Sequence, residues 1–237
     1  MKTMSTILAA AAACALSVAA YAQQSGAQRS YNVGSFDSVS AGGPANVIVK
    51  VGGAPSVRAE GAPELLDRLE VVVEDGDLEI RPKWEYRRNF NWNDQRRATF
   101  YVTAPALEAA AVAGSGDMSV DRVQGEEFSG SVAGSGNLNI ASVQVQRARF
   151  SIAGSGDLSA RGSAARSNVS IAGSGSVKLQ DLATRTAAVS IAGSGDVDMR
   201  AEEEVDVSIV GSGDVNVTGN ARCSVNRIGG GNVRCGR

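Results

Sequence analysis

Residues 150–160 read FSIAGSGDLSA, and residues 189–199 read VSIAGSGDVDM. Their shared core, a Gly-Ser-Gly turn usually preceded by Ala and followed by Asp, Asn or Ser, recurs through the second half of the chain and ends in a degraded copy. The first glycines of the seven copies are Gly114, Gly134, Gly154, Gly173, Gly193, Gly211 and Gly229. Their spacings are 20, 20, 19, 20, 18 and 18 residues. This regularity predicts a repeat architecture.

Apolar residues alternate with small or polar residues on both sides of each glycine turn. The residues two positions before the first glycine are Val112, Val132, Ile152, Ile171, Ile191 and Ile209. The residues four positions after it are Met118, Leu138, Leu158, Val177, Val197, Val215 and Val233. A period of two predicts two short, half-buried strands in each unit.

One such unit cannot bury its apolar face alone, whereas stacked units place like residues in continuous ladders. The sequence therefore predicts an all-β fold, a single-stranded parallel β-helix (solenoid) with one rung per repeat of 18–20 residues. A propeller blade would need roughly 40 residues. Parallel crossovers favour a right-handed coil, although narrow solenoids can also wind the other way.

The chain divides into a leader and one domain. Residues 1–22 contain Lys2, an Ala-rich apolar run and Ala20-Tyr21-Ala22, which is typical of a cleaved secretory signal peptide. We expect residues 23–30 to be disordered and residues 31–237 to form a single solenoid domain. Within that domain, residues 31–80 should supply the opening rungs and a cap, with a short helical turn at residues 63–69. No other segment is long and apolar enough to predict a transmembrane helix.

The composition limits the chemistry. The chain has no histidine, which removes the commonest general base and zinc ligand, and its formal net charge of −2 does not predict nucleic-acid binding. We therefore expect no enzymatic activity and no cofactor. Cys223 and Cys235 lie six residues before and after Gly229, and an even cysteine count in an exported chain favours a disulfide. That disulfide should close the last rung.

A polar residue follows each glycine turn, and we call this set the turn ladder. It comprises Asp117, Asn137, Asp157, Ser176, Asp196, Asp214 and Asn232. Rows of oxygen ligands can hold calcium, but only Asp196 and Asp214 are carboxylates on neighbouring rungs. We expect instead that each side chain accepts local backbone hydrogen bonds and caps its turn.

Residues 81–97 differ from the repeats. Six cationic and two acidic residues surround both tryptophans of the chain. Because Trp, Tyr and Arg are typical of binding hot spots, the candidate ligand-binding residues are Trp84, Tyr86, Arg87, Arg88, Phe90 and Trp92. Their partner would be an anionic glycan or an acidic protein surface. The alternative is a hairpin whose aromatic residues only cover the end of the coil.

Several segments, taken in order, resemble a known family. They are Phe36-Asp37-Ser38-Val39, residues 61–69, Leu78-Glu79-Ile80, residues 101–107, the serial AGSGD units and the segment from Cys223 to Cys235. This order is similar to the head GIN domain of putative auto-transporter adhesins. The resemblance implies a β-helix in the periplasm or on the surface of a Gram-negative bacterium, with an adhesin-like role, and it carries no catalytic residues.

Three functions follow from these observations. The chain is expected to be a non-enzymatic exported envelope protein, an adhesin-like or scaffolding module. One alternative is a periplasmic accessory protein for envelope stress or signalling, which differs only in location and partner. A carbohydrate-active β-helix enzyme is disfavoured, because the predicted exterior offers mainly Ser, Asp, Asn, Thr and Gly at each turn.

Overall fold

The computed structural model describes residues 27–89 and 98–236, and most of them lie in β-strands. The first strands are β1 Ala27–Tyr31, β2 Ser38–Gly43, β3 Ala45–Val51, β4 Ser56–Gly61, β5 Leu69–Glu74, β6 Asp77–Pro82 and β7 Ala98–Ala104. The repeats form β8 Ala109–Gly114, β9 Asp117–Val120, β10 Val123–Gly134, β11 Asn137–Gly154, β12 Asp157–Gly173, β13 Ser176–Gly193, β14 Asp196–Gly211, β15 Val215–Thr218, β16 Arg222–Ile228 and β17 Val233–Cys235. The two helices are α1 Pro63–Arg68 and a 3₁₀ helix, Trp84–Asn89. The predicted leader lies outside the described residues.

The strands from β8 to β17 stack in parallel, one rung on the next. Equivalent positions of the repeats are register partners, so Ile152 pairs with Ile171 and Ile171 pairs with Ile191. The stack forms a β-solenoid of about six turns, which confirms the predicted fold class. Its direction of winding stays a prediction.

The two strands predicted for each unit merge into one in the centre of the stack. Strands β11 to β14 run for 16–18 residues, each from one glycine turn to the next. The register shifts in a corner away from the glycine turn, for example between Ile140 and Val143 and between Ser159 and Gly162. This corner absorbs the differences in repeat length, so the turns themselves stay aligned.

The core is a set of apolar ladders that run along the solenoid axis. All six residues predicted two positions before the first glycine are buried, as are the six from Met118 to Val215 that follow the turn. Burial is lost at the last rung, where Val225, the register partner of the buried Val207, is 48% exposed. Ser167 and Thr184 are buried polar residues, and their hydroxyl oxygens are 3.0 Å apart in a hydrogen bond. Each hydroxyl thus satisfies the other inside the core.

The opening rung is formed by β2 and β3. These strands pair in parallel with β8 and β9, and Gly43 is the register partner of Gly114. Residues 38–51 are therefore a further copy of the rung, in which Pro44 and Ala45 replace the Ser and the second Gly of the turn. The sequence predicts an opening rung here, but the Gly-Ser-Gly motif that would show this alignment is absent from residues 43–45.

Antiparallel strands cap the first end of the solenoid. Strand β4 pairs with β7 and β1, and β5 pairs with β6 around the turn at Asp75 and Gly76. The predicted helical turn is α1, whose Leu65 and Leu66 are buried. Residues 27–30 lie in β1 rather than in the expected disordered segment, because β4 offers that strand an edge and Arg29 forms an ion pair with Asp67 of α1.

The last rung is closed by a disulfide between Cys223 and Cys235, as predicted, with the two Cα atoms 6.4 Å apart. The bond joins β16 to β17 across the turn at Gly229. Arg227 is the register partner of Ile209, and its guanidinium donates a hydrogen bond to the Gly231 carbonyl. A charged side chain thus occupies this ladder position at the end of the stack.

Neither helix found among residues 27–89 and 98–236 has the length and apolar character that a membrane span requires.

Candidate functional site

The glycine turns form a continuous hydrogen-bonded stack. The carbonyl oxygen of Gly134 accepts hydrogen bonds from the backbone N–H groups of Ser155 and Gly156, at 2.9 and 3.1 Å, and the other rungs repeat much of this pattern. Gly154 has a φ of 133°, and a Cβ atom there would lie 2.3 Å from the Gly134 oxygen. Only glycine allows this approach.

The turn ladder adds a side-chain hydrogen bond between most neighbouring rungs. Asp117 Oδ1 accepts from the backbone N–H of Asn137, Asn137 Oδ1 accepts from that of Asp157, and Asp157 Oδ1 accepts from that of Ser176, at 3.1–3.2 Å. The bonds are therefore made between rungs and not within one turn, which corrects the local capping expected from the sequence. Asn46 continues the ladder into the opening rung through the N–H of Asp117.

This arrangement explains the composition of the ladder. An Asn side chain offers the same Oδ1 acceptor as Asp, so Asn137 keeps the bond between rungs while separating the charges of Asp117 and Asp157. The ladder is interrupted at Ser176, since the Asp196 N–H donates to the Gly175 carbonyl oxygen instead. The Oδ1 atoms of Asp117, Asn137, Asp157, Asp196 and Asp214 each accept a backbone N–H of the next rung. Across the part of the chain that the structure describes, no three His, Cys, Asp or Glu side chains lie together as metal ligands could.

The aromatic and basic segment leaves the solenoid at its capped end. Residues 84–89 form the 3₁₀ helix, which is anchored to α1 because the Lys83 N–H donates to the Arg68 carbonyl oxygen at 2.9 Å. The Arg68 guanidinium lies over the Tyr86 ring, 5.9 Å from its centroid. The segment thus has a defined attachment rather than a free hinge.

We call Trp84, Tyr86, Arg87 and Arg88 the aromatic cap. Trp84 is 81% exposed, so its ring faces solvent, whereas Tyr86 is 37% exposed and lies beneath the Arg68 guanidinium. Arg87 and Arg88 lie in the same short helix. Phe90 and Trp92, also predicted as ligand-binding residues, lie outside the described residues.

Arg81, the first cation of the segment, has a structural role. Its guanidinium pairs with Glu70, Glu74 and Glu79, which lie on the antiparallel hairpin of β5 and β6. The hydrogen bond to Glu70 is the main reason that the pKa of Arg81 is raised. Of the cations predicted around the tryptophans, this one is therefore committed to holding the cap together.

The carboxyl group of Asp77 lies partly buried beside the opening rung. The Ser40 hydroxyl donates to Asp77 Oδ2 at 3.1 Å, and Asp77 Oδ1 is buried without a hydrogen-bond partner. Burial raises the pKa of the Asp77 carboxyl by more than the Ser40 hydrogen bond lowers it, and the neighbouring Glu79 and Asp37 raise it further. This group is a source of pH-dependent stability.

The broad face before the glycine turns is an open, small-residue surface. A shallow groove of about 600 Å³ crosses it, and hydroxyls line the groove in a row of register partners, Ser151, Ser170, Ser190 and Ser208. The sequence contains no histidine to activate them. The face therefore repeats the regularity of the rungs and contains no Ser–His pair.

Comparisons with known proteins agree with this architecture. A family model described as "Putative auto-transporter adhesin, head GIN domain" matches residues 35–221. No curated protein matches the chain. A solved putative adhesin from Bacteroides fragilis is 22% identical with a TM-score of 0.75, and the alignment covers 87% of this chain and 95% of that one.

Two structures from Parabacteroides distasonis share the fold. A putative adhesin is 18% identical with a TM-score of 0.72 and coverage of 87% and 95% of the two chains. A putative lipid binding protein is 24% identical with a TM-score of 0.69 and coverage of 90% and 98%. At these identities the likeness extends to the fold alone.

Proposed function

The chain belongs to the family described as putative auto-transporter adhesin, head GIN domain, and from that premise we propose that it is a non-enzymatic, adhesin-like protein of the bacterial envelope that recognises its partner through the aromatic cap. The solenoid is then a rigid stalk, and the cap at its first end carries the contact.

The exposure of Trp84 carries this proposal. A tryptophan that is 81% exposed is costly to keep in water, since burying a large side chain is worth about 1.5–3 kcal/mol. Tyr86 lies two residues further along the same anchored helix. A rigidly attached Trp and Tyr pair flanked by arginines has the composition of a binding hot spot.

The proposed partner is an anionic glycan or an acidic protein surface. Trp84 would stack on a sugar face or an apolar patch, and Arg87 and Arg88 would pair with carboxylate, sulfate or phosphate groups. The glycine turns offer only small side chains with hydrogen bonds already made, so they give little contact area for a partner.

The proposed location is the periplasm or the cell surface of a Gram-negative bacterium. Two features support export: the leader-like sequence of residues 1–22 and the Cys223–Cys235 disulfide, which favours an oxidising compartment. Fractionation of cells, followed by protease treatment of intact cells, separates the two locations. Protection of the protein in the periplasm would favour an accessory role over adhesion.

The test of recognition is a W84A/R87A/R88A variant compared with the parent protein. The matched control is V210A, which removes an exposed apolar side chain from the solenoid face. Binding to immobilised envelope polysaccharide and to host-surface extracts should fall at least tenfold in the triple variant and stay unchanged in V210A. Both variants should keep the parental melting temperature.

A large drop in melting temperature of the triple variant, together with no binding by the parent protein, would contradict the proposal. That result would leave the aromatic cap with a purely structural role at the end of the coil.

A further inference from the structure

Two rows of charged residues run along the solenoid at a second corner, between the register shift and the next glycine turn. In the first row Glu127 pairs in register with Arg147, Arg147 with Arg166, and Arg166 with Thr186. Arg185, the residue before Thr186 in the same strand, belongs to the second row, one position earlier along each strand. Three arginines from three successive rungs therefore lie together on the outside of the solenoid, separated by a strand spacing of about 4.8 Å. We call the depression between them the corner groove.

The pairing of Arg147 with Arg166 is unfavourable by itself. Like charges on directly opposed positions of neighbouring strands repel each other and destabilise the sheet. Elsewhere in this row Glu127 stands opposite Arg147, so the row does use opposite charges where they stabilise the stack. An arginine opposite an arginine has no such benefit for the fold.

The ion pairs around the groove leave its centre uncompensated. Arg147 Nε is 3.2 Å from Glu127 Oε2, and Arg185 Nε is 3.5 Å from Glu203 Oε1. Arg166, which lies between them and is exposed, has no ion pair with any residue in the described ranges 27–89 and 98–236. Its guanidinium is free to bind an anion from solution.

The shape of the corner makes room for a ligand. Ala165 lies between the arginines, and its small side chain leaves a groove of about 490 Å³ that Thr186 and Gln146 also line. Carboxylate groups fit the planar fork of arginine, whereas the Thr hydroxyl and the Gln amide suit the hydroxyl groups of a sugar. The groove thus combines one strong anion position with neutral hydrogen-bonding groups.

We infer that the corner groove binds an acidic saccharide, with its carboxylate on Arg166 between Arg147 and Arg185. A bare phosphate would use the cations but not the neutral groups beside them. Glu126 and Glu203 line the groove together with these arginines and repel further negative charge. The site therefore fits a short acidic sugar and excludes a long polyanion such as a nucleic acid.

The probe is a fluorescently labelled galacturonic acid trimer, titrated into the full chain at low salt, with maltotriose as the neutral comparison. The test variants are R166Q, which removes the central cation, and A165L, which fills the groove without changing charge. The matched control is R161Q, because Arg161 is an exposed arginine of the same strand that pairs with Asp181 outside the groove.

We expect the trimer to bind the parent protein and R161Q equally, and to bind R166Q and A165L at least tenfold more weakly. Maltotriose should not bind. The melting temperature of R166Q should equal or exceed that of the parent protein, because the variant relieves the repulsion with Arg147. A merely structural arginine would give the opposite change in stability.

Three results would overturn the inference: no binding of the trimer by the parent protein, equal binding by R166Q, or displacement of the trimer by inorganic phosphate at the same concentration. The third result would make the groove a general oxyanion site. R166Q and A165L leave the aromatic cap intact, so loss of trimer binding in these two variants separates the corner groove from the cap.

Discussion

Replacing Asp157 tests whether the turn ladder acts through its charge or through its acceptor oxygen. Asp157 Oδ1 accepts the backbone N–H of Ser176 at 3.2 Å, and Oδ2 accepts the Lys178 ammonium at 3.1 Å. The D157N variant keeps the first bond and loses the ion pair. The D157A variant loses both, so the difference between the two variants isolates the acceptor.

The magnitudes follow from the two contacts. An N–H group left without its acceptor costs about 1–2 kcal/mol, whereas an exposed ion pair contributes roughly 0.5 kcal/mol. For a domain of this size each kcal/mol moves the melting temperature by about 2–4 °C. We therefore expect D157A to melt roughly 3–10 °C below the parent protein and D157N to melt within roughly 2 °C of it.

Two measurements check this reasoning. Thermal unfolding gives the overall change, and amide hydrogen exchange at Ser176 gives the local one, which should be about tenfold faster in D157A for a loss of about 1.4 kcal/mol. The control is D181A, which removes an exposed carboxylate that pairs only with Arg161 among the interactions of the described residues. Equal destabilisation of D157N and D157A would refute the acceptor role, as would normal Ser176 exchange in D157A.

Four further perturbations probe the rest of the fold. Ile171→Asp should cost at least about 4 kcal/mol in urea denaturation, because it places an unpaired charge in a buried ladder; a normal midpoint would contradict the inward position. Gly175→Ala should prevent folding of the adjacent rungs, seen as lost circular dichroism, because a Cβ there lies 2.2 Å from the glycine oxygen one rung earlier. Replacing Cys223 and Cys235 by Ser should cost about 3 kcal/mol for a closed loop of this length, and free thiols by mass spectrometry in the envelope protein would remove the premise. The pKa of Asp77 is raised in the fold, so this carboxyl stabilises the native state at pH below about 4, and the stabilisation is lost as the pH rises through the raised pKa. Asp77→Asn should flatten this decline of the melting temperature with pH. An unchanged pH profile of the melting temperature in the variant would contradict the role of Asp77.

The solenoid could be predicted because its decisive contacts join identical positions of the repeat. Ile152, Ile171 and Ile191 occupy one ladder, and the sequence spacing alone gives their register. The same logic gave the disulfide, since Cys223 and Cys235 are symmetric about a turn. A fold whose neighbours repeat in sequence needs no long-range information beyond the period.

The opening rung and the corner groove could not be predicted in the same way. Gly43 is the equivalent of Gly114 in the opening rung, but Pro44 follows Gly43 where the repeats have Ser. The turn motif is therefore recognisable only from the strand register. Arg147 and Arg166 each lie seven residues before a first glycine, and they pair because the one-residue difference between their units is absorbed earlier, between Ile140 and Val143. The sequence does not show on which side of a turn such a residue is accommodated.

The turns stay aligned while the corner absorbs differences in repeat length, and this has a genetic consequence. Every glycine turn presents the same carbonyl oxygens to the rung that follows, so a whole unit inserted by recombination between repeats meets the neighbours that it needs. The corner accepts single-residue insertions, because units of 18, 19 and 20 residues already coexist there. Unequal crossing over can therefore lengthen or shorten the molecule in steps of one strand spacing, about 4.8 Å. The distance between the aromatic cap and the last rung can then change by inheritance, and no contact within a rung has to change with it.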